Sequence, residues 1–406
     1  PNEQVIGTGA ATGTYLNNSP ADSNTTNGGN NNKTSGDYSI IGGGLDNETC
    51  LNVSFVGGGQ ENLANGVYAT IAGGYRNITS PYSFIGSGQD NTSSADYTVI
   101  GGGTLNTASA FGSVIGGGFT NKVFGCYSFI GGGHINCITD AYSTIGGGTS
   151  NWAYSPSATI AGGTENYAGA ACSTIGGGRC NRVGFQNING TCMLYATIAG
   201  GEENNISANG VNMTIGGGRK NCITTSAHGC NTIGGGGYNL INFCGGSNTI
   251  GGGYCSNIYN SCKTFIGGGA QNNVYQTQYS SISAGYANQI CSAYCSHIGG
   301  GYNNQINGGG SSNCKGNFIG GGLTNCIYQS CRGIIAGGES NKICRGNGNG
   351  ILGGNSNTIT DKFNTFIIGS NITATTSNTT FTNCLCIAGT AIASGDMTAN
   401  DCCICR

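Results

Sequence analysis

Tyr142-Ser143-Thr144-Ile145-Gly146-Gly147-Gly148-Thr149-Ser150-Asn151-Trp152-Ala153 contains the pattern that organises most of the chain. Take Ile145 as position 0. Gly then stands at +3, Asn at +6 and a small apolar residue at +8, with Tyr and Ser at −3 and −2. The same columns recur around Ile41, Val56, Ile71, Ile85, Ile100, Ile115, Ile130, Ile160 and Ile175. They continue around Ile198, Ile215, Ile233, Ile250, Ile266, Ile282, Ile298, Ile319, Ile335, Leu352 and Ile368. The first nine spacings are 15 residues with a single 14, and later ones are mostly 16 to 18. Two are longer, 23 residues after Ile175 and 21 after Ile298. Gly fills +3 in 19 of the 21 copies and Asn fills +6 in 18, the exceptions being Ser256, Thr358 and Ala374.

A fixed period of this length, too short for a unit with its own core, reads as a solenoid whose coils bury their faces only by stacking. Tyr-Ser-x-Ile alternates at period two and predicts a short half-buried strand. The Gly run after it supplies positive φ and admits a second backbone at close range. Asn in a fixed turn column tolerates the left-handed region and bonds neighbouring backbone. Repeated coil after coil, identical Asn side chains form a ladder. The column Asn47, Asn62, Asn77, Asn91, Asn106, Asn121, Asn136 and Asn151 is therefore assigned a structural role, as are Ile100, Ile115, Ile130 and Ile145 in the core. The +8 residue opens a second short strand.

The fold class expected is all-β, a parallel β-solenoid of about 21 rungs of 15–18 residues. Its domains are a polar Asn/Gly/Thr-rich segment at 1–36, the array at 37–374 and a Cys-rich neck or linker at 375–406. A 15-residue coil encloses one Ile and one Ala or Val, a thin core for a monomer. Oligomerisation is the usual remedy, so a parallel homotrimer is expected, with the Gly faces meeting near its axis.

Composition excludes other classes. The 406 residues include 80 Gly, 4 Pro and 30 charged side chains. Collagen would need far more Pro and a strict third-residue Gly, and helices would be weakened by so much Gly. A net charge of −2 with no basic cluster leaves nucleic-acid binding without an electrostatic footprint. No run of 18 apolar residues is present, so no membrane insertion is expected.

Chemistry-bearing residues are sparse. His134, His228 and His297 fall in different columns without metal-ligand spacing. Asp90 with Asp96, or Glu202 with Glu203, would be the acid pairs of a solenoid enzyme, yet nothing in their surroundings singles them out. The chain is expected not to be an enzyme and to hold no cofactor or metal. No two of the 22 Cys share a column in successive copies, so most are expected to be thiols filling the core, as in a reducing compartment. Asn32, Asn47, Asn52, Asn77 and Asn91 each begin an Asn-x-Ser/Thr triplet, relevant only on a eukaryotic secretory route.

Tyr-Ser-x-Ile-Gly-Gly-Gly-x-x-Asn resembles the S-x-x-I-G repeats in the left-handed β-roll heads of trimeric autotransporter adhesins. Its 15-residue form is more similar to repeat arrays of phage tail-fibre and giant-virus fibre proteins. The segment Asn378-Thr379-Thr380-Phe381-Thr382-Asn383-Cys384-Leu385 resembles the passage leading out of such arrays. The resemblance implies a structural and adhesive fibre segment, a virion (tail or capsid) shaft that contacts a host or cell-surface receptor, with a glycan among the candidates. Its place would be the virion surface or the extracellular space. A bacterial adhesin or filament subunit is the alternative reading, and an ice-binding solenoid a further one, because Thr recurs at −1. Insertions in solenoids often form the binding face. Phe185, Met193 and Leu194 in the first long interval, and Gly308, Gly309 and Gly310 in the second, are therefore the candidate binding loops.

Overall fold

The computed structural model describes residues 25–26, 28–184, 195–207, 210–224, 229–242, 245–309 and 315–383. Among these residues there is no helix, and every paired strand is parallel to its neighbour. The chain divides into two units, 1–201 and 202–406. Each is a parallel β-solenoid, and together they hold about twenty coils.

Every coil contributes two short strands, one to each of two sheets. Thr144–Ile145 pairs with Phe129–Ile130 and with Thr159–Ile160, and Trp152–Ala153 pairs with Cys137–Ile138 and Tyr167–Ala168. The pairing extends beyond the most regular copies, from Thr25–Thr26 against Ile40–Ile41 to Phe366–Ile368 against Thr380–Thr382. Turns are bonded in the same way. Thr149 N–H donates to Gly163 O at 2.9 Å and Ser150 N–H to His134 O at 2.9 Å. A chain this rich in Gly stays ordered because its turn backbone also finds partners in the coils above and below.

The core is four columns deep. Position 0 is Ile in nearly every coil and fully buried, as at Ile100, Ile115, Ile130 and Ile145. Position +8 is mixed in the first unit, for example Thr79, Ala108, Val123 and Ala153, but Ile or Val in most coils of the second, as at Ile223, Ile258 and Ile327. The larger residue goes with longer coils and with strands of three to six residues such as Asn257–Tyr259 and Cys326–Cys331. The other two columns, +6 and −2, are equally buried, +6 almost wholly Asn and −2 mostly Ser, Thr and Asn with Ala or Met213 in places.

Four expectations are corrected. Leu352 and Ile368 are not core anchors: Ile351 and Ile367 are buried, and Leu352 and Ile368 face outward in the place Gly usually takes at +1. With that register Asn357 falls into the Asn column. Tyr at −3 does not begin the strand. Tyr68, Tyr82, Tyr97, Tyr127 and Tyr142 all have φ between 52° and 59°, so they form a left-handed corner and the strand is the two residues after Ser. The left-handed turn residue near Asn is the one before it, Asp46, Glu61, Arg76 or Ser150, while Asn itself points inward. Finally, the described cysteines do not fill the core. Cys137 alone is buried among the described free thiols, and Cys126, Cys230 and Cys295 are exposed.

The glycines answer to their own chain. At +3, Gly148 has φ +91°, and a Cβ there would lie 2.1 Å from Gly163 O of the next coil. At +1, a Cβ on Gly146 would lie 2.3 Å from Ala161 O. At +3 the overlap and the left-handed φ together demand Gly, whereas +1 also takes Ala161, Ala199, Ser283 and Leu352, so there the neighbouring coil gives way. No partner chain is needed to explain the column.

Candidate surface-binding face

The Asn column builds the spine on which any surface rests. Oδ1 of each Asn accepts the next Asn's backbone N–H and Nδ2, as Asn47 does from Asn62 at 3.0 Å each. Nδ2 of Asn62 also reaches Gly58 O at 3.1 Å and Gly74 O at 2.8 Å. The amide therefore has no unmet donor or acceptor, the condition for burying a polar group. The relay runs through Asn77, Asn91, Asn106, Asn121, Asn136 and Asn151. In the second unit Ser256 interrupts it, taking Asn239 Oδ1 through its backbone and passing its Oγ to Asn272 N–H at 3.3 Å.

A second relay lies at −2, and reading the sequence as alternation missed it. Ser143 N–H donates to Ser128 Oγ, Asn248 N–H to Asn231 Oδ1, and Gly333 N–H to Asn317 Oδ1 at 2.8 Å. The column mixes Ser, Thr, Asn and Ala, with Met213 and Gly333 once each, so no single residue type advertised it.

Outside this frame, the first unit segregates charge. The outward positions −3, −1 and +1 carry no charged residue in any of its coils from Tyr38 to Ala199. Its ion pairs lie elsewhere, Lys33 with Glu48 at 2.6 Å and Arg76 with Asp90 at 2.8 Å. Along −3 the rings of Tyr68, Tyr82, Tyr97, Phe111, Tyr127 and Tyr142 follow one another with centroids 4.9 to 5.6 Å apart. Phe111 substitutes for the missing ring at Gly112, whose Cβ would press on Tyr127 at 3.0 Å. Beside this stack, Phe55, Phe84 and Phe129 lie across Gly57, Gly86 and Gly131, within 3.4 to 3.6 Å of where a Cβ would stand. The result is an exposed face of ring edges, hydroxyls and flat Phe rings, bordered at −4 by Asp37 and Asp96. Tyr142 is 64% exposed and Tyr82 46%.

The candidate loops are placed only in part. Phe185, Met193, Leu194 and Gly310 lie outside the described residues. Gly308 is buried against the preceding coil, donating to Cys291 O at 2.9 Å, and Gly309 is exposed with φ +70°.

Of the candidate acids, Glu202, Glu203 and Asp90 each face a cation. Glu202 meets Arg219 at 3.4 Å and Glu203 meets Lys220 at 3.2 Å, across adjacent coils. Asp90 is held by Arg76. His297 Nδ1 lies 2.7 Å from Ser281 Oγ, and His134 packs on Phe119. Burial pushes the thiols of Cys137, Cys222 and Cys326 up from their ordinary range. Among the described residues no three His, Cys, Asp or Glu side chains gather as a metal site, and no helix is long and apolar enough to cross a membrane.

No protein-family model matches the chain, and no curated protein matches it either.

Proposed function

We propose that this chain is a structural and adhesive fibre segment, a virion shaft that presents contacts to a host surface, and that it works as a parallel homotrimer outside the cell or on the particle. The observation that carries the reading is the hydrogen-bond relay of the Asn column, which makes one coil the template for the next along a shaft. The polar groups with the greatest reach for chemistry are committed to neighbouring coils, as Glu202 is to Arg219. The segregated face supports adhesion. Aromatic side chains with a polar tip are favoured where one side of a contact stays wet, and the Tyr68–Tyr142 stack offers five of them, with Phe111 completing the row.

Receptor contact is assigned to the two long intervals together with this face. The test shortens residues 176–197 and 299–318 to regular coils in the full chain and measures competition with particle attachment to host surfaces. Loss of competition supports loop contact. Undiminished competition removes the loops and leaves the aromatic face, which Tyr82→Ser with Tyr127→Ser then probes.

One observation favours a second reading, ice binding. Thr144, Thr159, Thr174 and Thr197 stand in register on one sheet. The adjacent outward column holds Gly146, Ala161, Gly176 and Ala199, so each coil offers one hydroxyl there. Thermal hysteresis of the purified chain separates this reading from the first.

A further inference from the structure

We propose that Asn32, Asn47, Asn77 and Asn91 are N-glycosylation acceptors whose modification excludes folding, so that the chain completes its coils only where no oligosaccharyl transferase reaches it. Each begins an Asn-x-Ser/Thr triplet: Asn32-Lys33-Thr34, Asn47-Glu48-Thr49, Asn77-Ile78-Thr79 and Asn91-Thr92-Ser93. That sequence is what the transferase reads in an unfolded chain. The transfer joins the acceptor Nδ2 to C1 of a sugar, expels the pyrophosphate of a lipid-linked oligosaccharide donor, and releases one amide proton.

The folded coils need that same nitrogen. Nδ2 of Asn47 donates to Asn32 Oδ1 at 3.1 Å, Gly43 O at 3.1 Å and Gly59 O at 2.8 Å. Asn77 and Asn91 repeat the arrangement, with Gly88 O at 2.9 Å and Gly103 O at 2.8 Å. Asn47, Asn77 and Asn91 are fully buried, and Asn32 nearly so. A single Cβ added at Gly44 would already lie 2.7 Å from Asn47 Nδ2. A sugar ring there has no space, and a glycosylated amide keeps one hydrogen where the relay uses two. The coil cannot close around it.

The triplet's third residue supplies an independent handle. Thr49 and Thr79 are buried, and their hydroxyls have no hydrogen-bond partner. Valine has the same shape without the unmet hydroxyl, so Thr49→Val and Thr79→Val erase the acceptor signal while leaving the Asn relay whole. Asn52, by contrast, is itself exposed although Ser54 of its triplet is buried, and serves as an internal control that a folded chain tolerates.

The experiment produces the full chain in a bacterial cytosol and, with a leader, through a eukaryotic secretory pathway. The same is done for Thr34→Val/Thr49→Val/Thr79→Val/Ser93→Ala, and wild type is also secreted with synthesis of the lipid-linked donor blocked. Site occupancy is read by mass spectrometry and folding by a cooperative melt. The expected result is a folded cytosolic chain, a secreted wild type that carries sugar on at least one of the four Asn and has lost its melt, and recovery of the melt when donor synthesis is blocked. The quadruple variant, folded in the cytosol, is expected to be secreted folded with sugar confined to exposed acceptors such as Asn52. Secreted wild type with a normal melt overturns the proposal, whether the four Asn are bare or modified. So does wild type that stays unfolded when the donor is blocked, which assigns the failure to another cause such as thiol oxidation. The blocked-donor arm uses the unaltered sequence, so it decides even if the quadruple variant fails to fold in either host.

Discussion

Oδ1 of Asn136 accepts two hydrogen bonds from Asn151, one from its backbone N–H at 3.0 Å and one from its Nδ2 at 3.2 Å. Asn151 repeats both toward Asn166. The side chain therefore replaces the backbone acceptor that a turn residue would otherwise lack, and passes the same service on.

Replacing Asn136 and Asn151 together by Ala leaves the N–H groups of Asn151 and Asn166 buried and without acceptors. Each unmet group costs about 1–3 kcal/mol, so the double variant is expected to lose at least about 2 kcal/mol. A thermal melt checks it, and an unchanged midpoint would mean that the relay contributes nothing to stability.

The glycines at +2 and +3 are expected to behave differently although they are neighbours. Gly148→Ala forces a Cβ to 2.1 Å from Gly163 O at φ +91°, whereas Gly147→Ala brings one no closer than 3.9 Å to Gly132 O, with no positive φ to oppose it. The first should cost about 3 kcal/mol or more, as strain and backbone overlap do, and the second less than about 1 kcal/mol. Denaturant midpoints of the two variants decide it.

Cysteine reactivity should follow burial. Cys137, Cys222 and Cys326 have thiols raised by burial above their ordinary value of 9.0, so near neutral pH they stay protonated and alkylate slowly. Cys126, Cys230 and Cys295 are exposed and should react first. A raised folded value also means that the unfolded chain loses these protons before the folded chain does. Stability is therefore retained below pH 9.0 and declines as pH climbs from there toward the higher folded values. Mass-resolved alkylation and melts across that interval check both statements.

The solenoid was legible because its period is carried by residues with strong conformational or packing demands. Gly at +3 and Asn at +6 vary so little that they located the coils. The +3 column reports a backbone overlap, and the +6 column a buried relay. The corners were harder. Tyr at −3 looks like a strand residue, and its left-handed backbone is betrayed only by substitutes such as Gly112, Gly316, Gly348 and Asn364 in the same column. The −2 relay was hidden because Ser, Thr and Asn provide equivalent acceptors, so the chemistry repeats while the letter does not. The last two anchors were misplaced by one residue because Ile351-Leu352 and Ile367-Ile368 are both apolar, and hydropathy alone does not tell the inward residue from the outward one. The aromatic face required the fold first, since Phe111 joins the stack from a different column than its Tyr neighbours.

The central claim is that buried Asn side chains template one coil on the next, and residue-resolved hydrogen exchange on Asn136→Ala tests it most directly. In that variant the N–H of Asn151 loses its acceptor, Asn136 Oδ1, while the N–H of Trp152 keeps its bond to Asn166 O at 2.9 Å. Removing one buried hydrogen bond is worth about 1–3 kcal/mol, so the account predicts Asn151 exchanging about 5-fold or more faster than in wild type, with Trp152 changed much less. Equal protection of Asn151 in both proteins would contradict it.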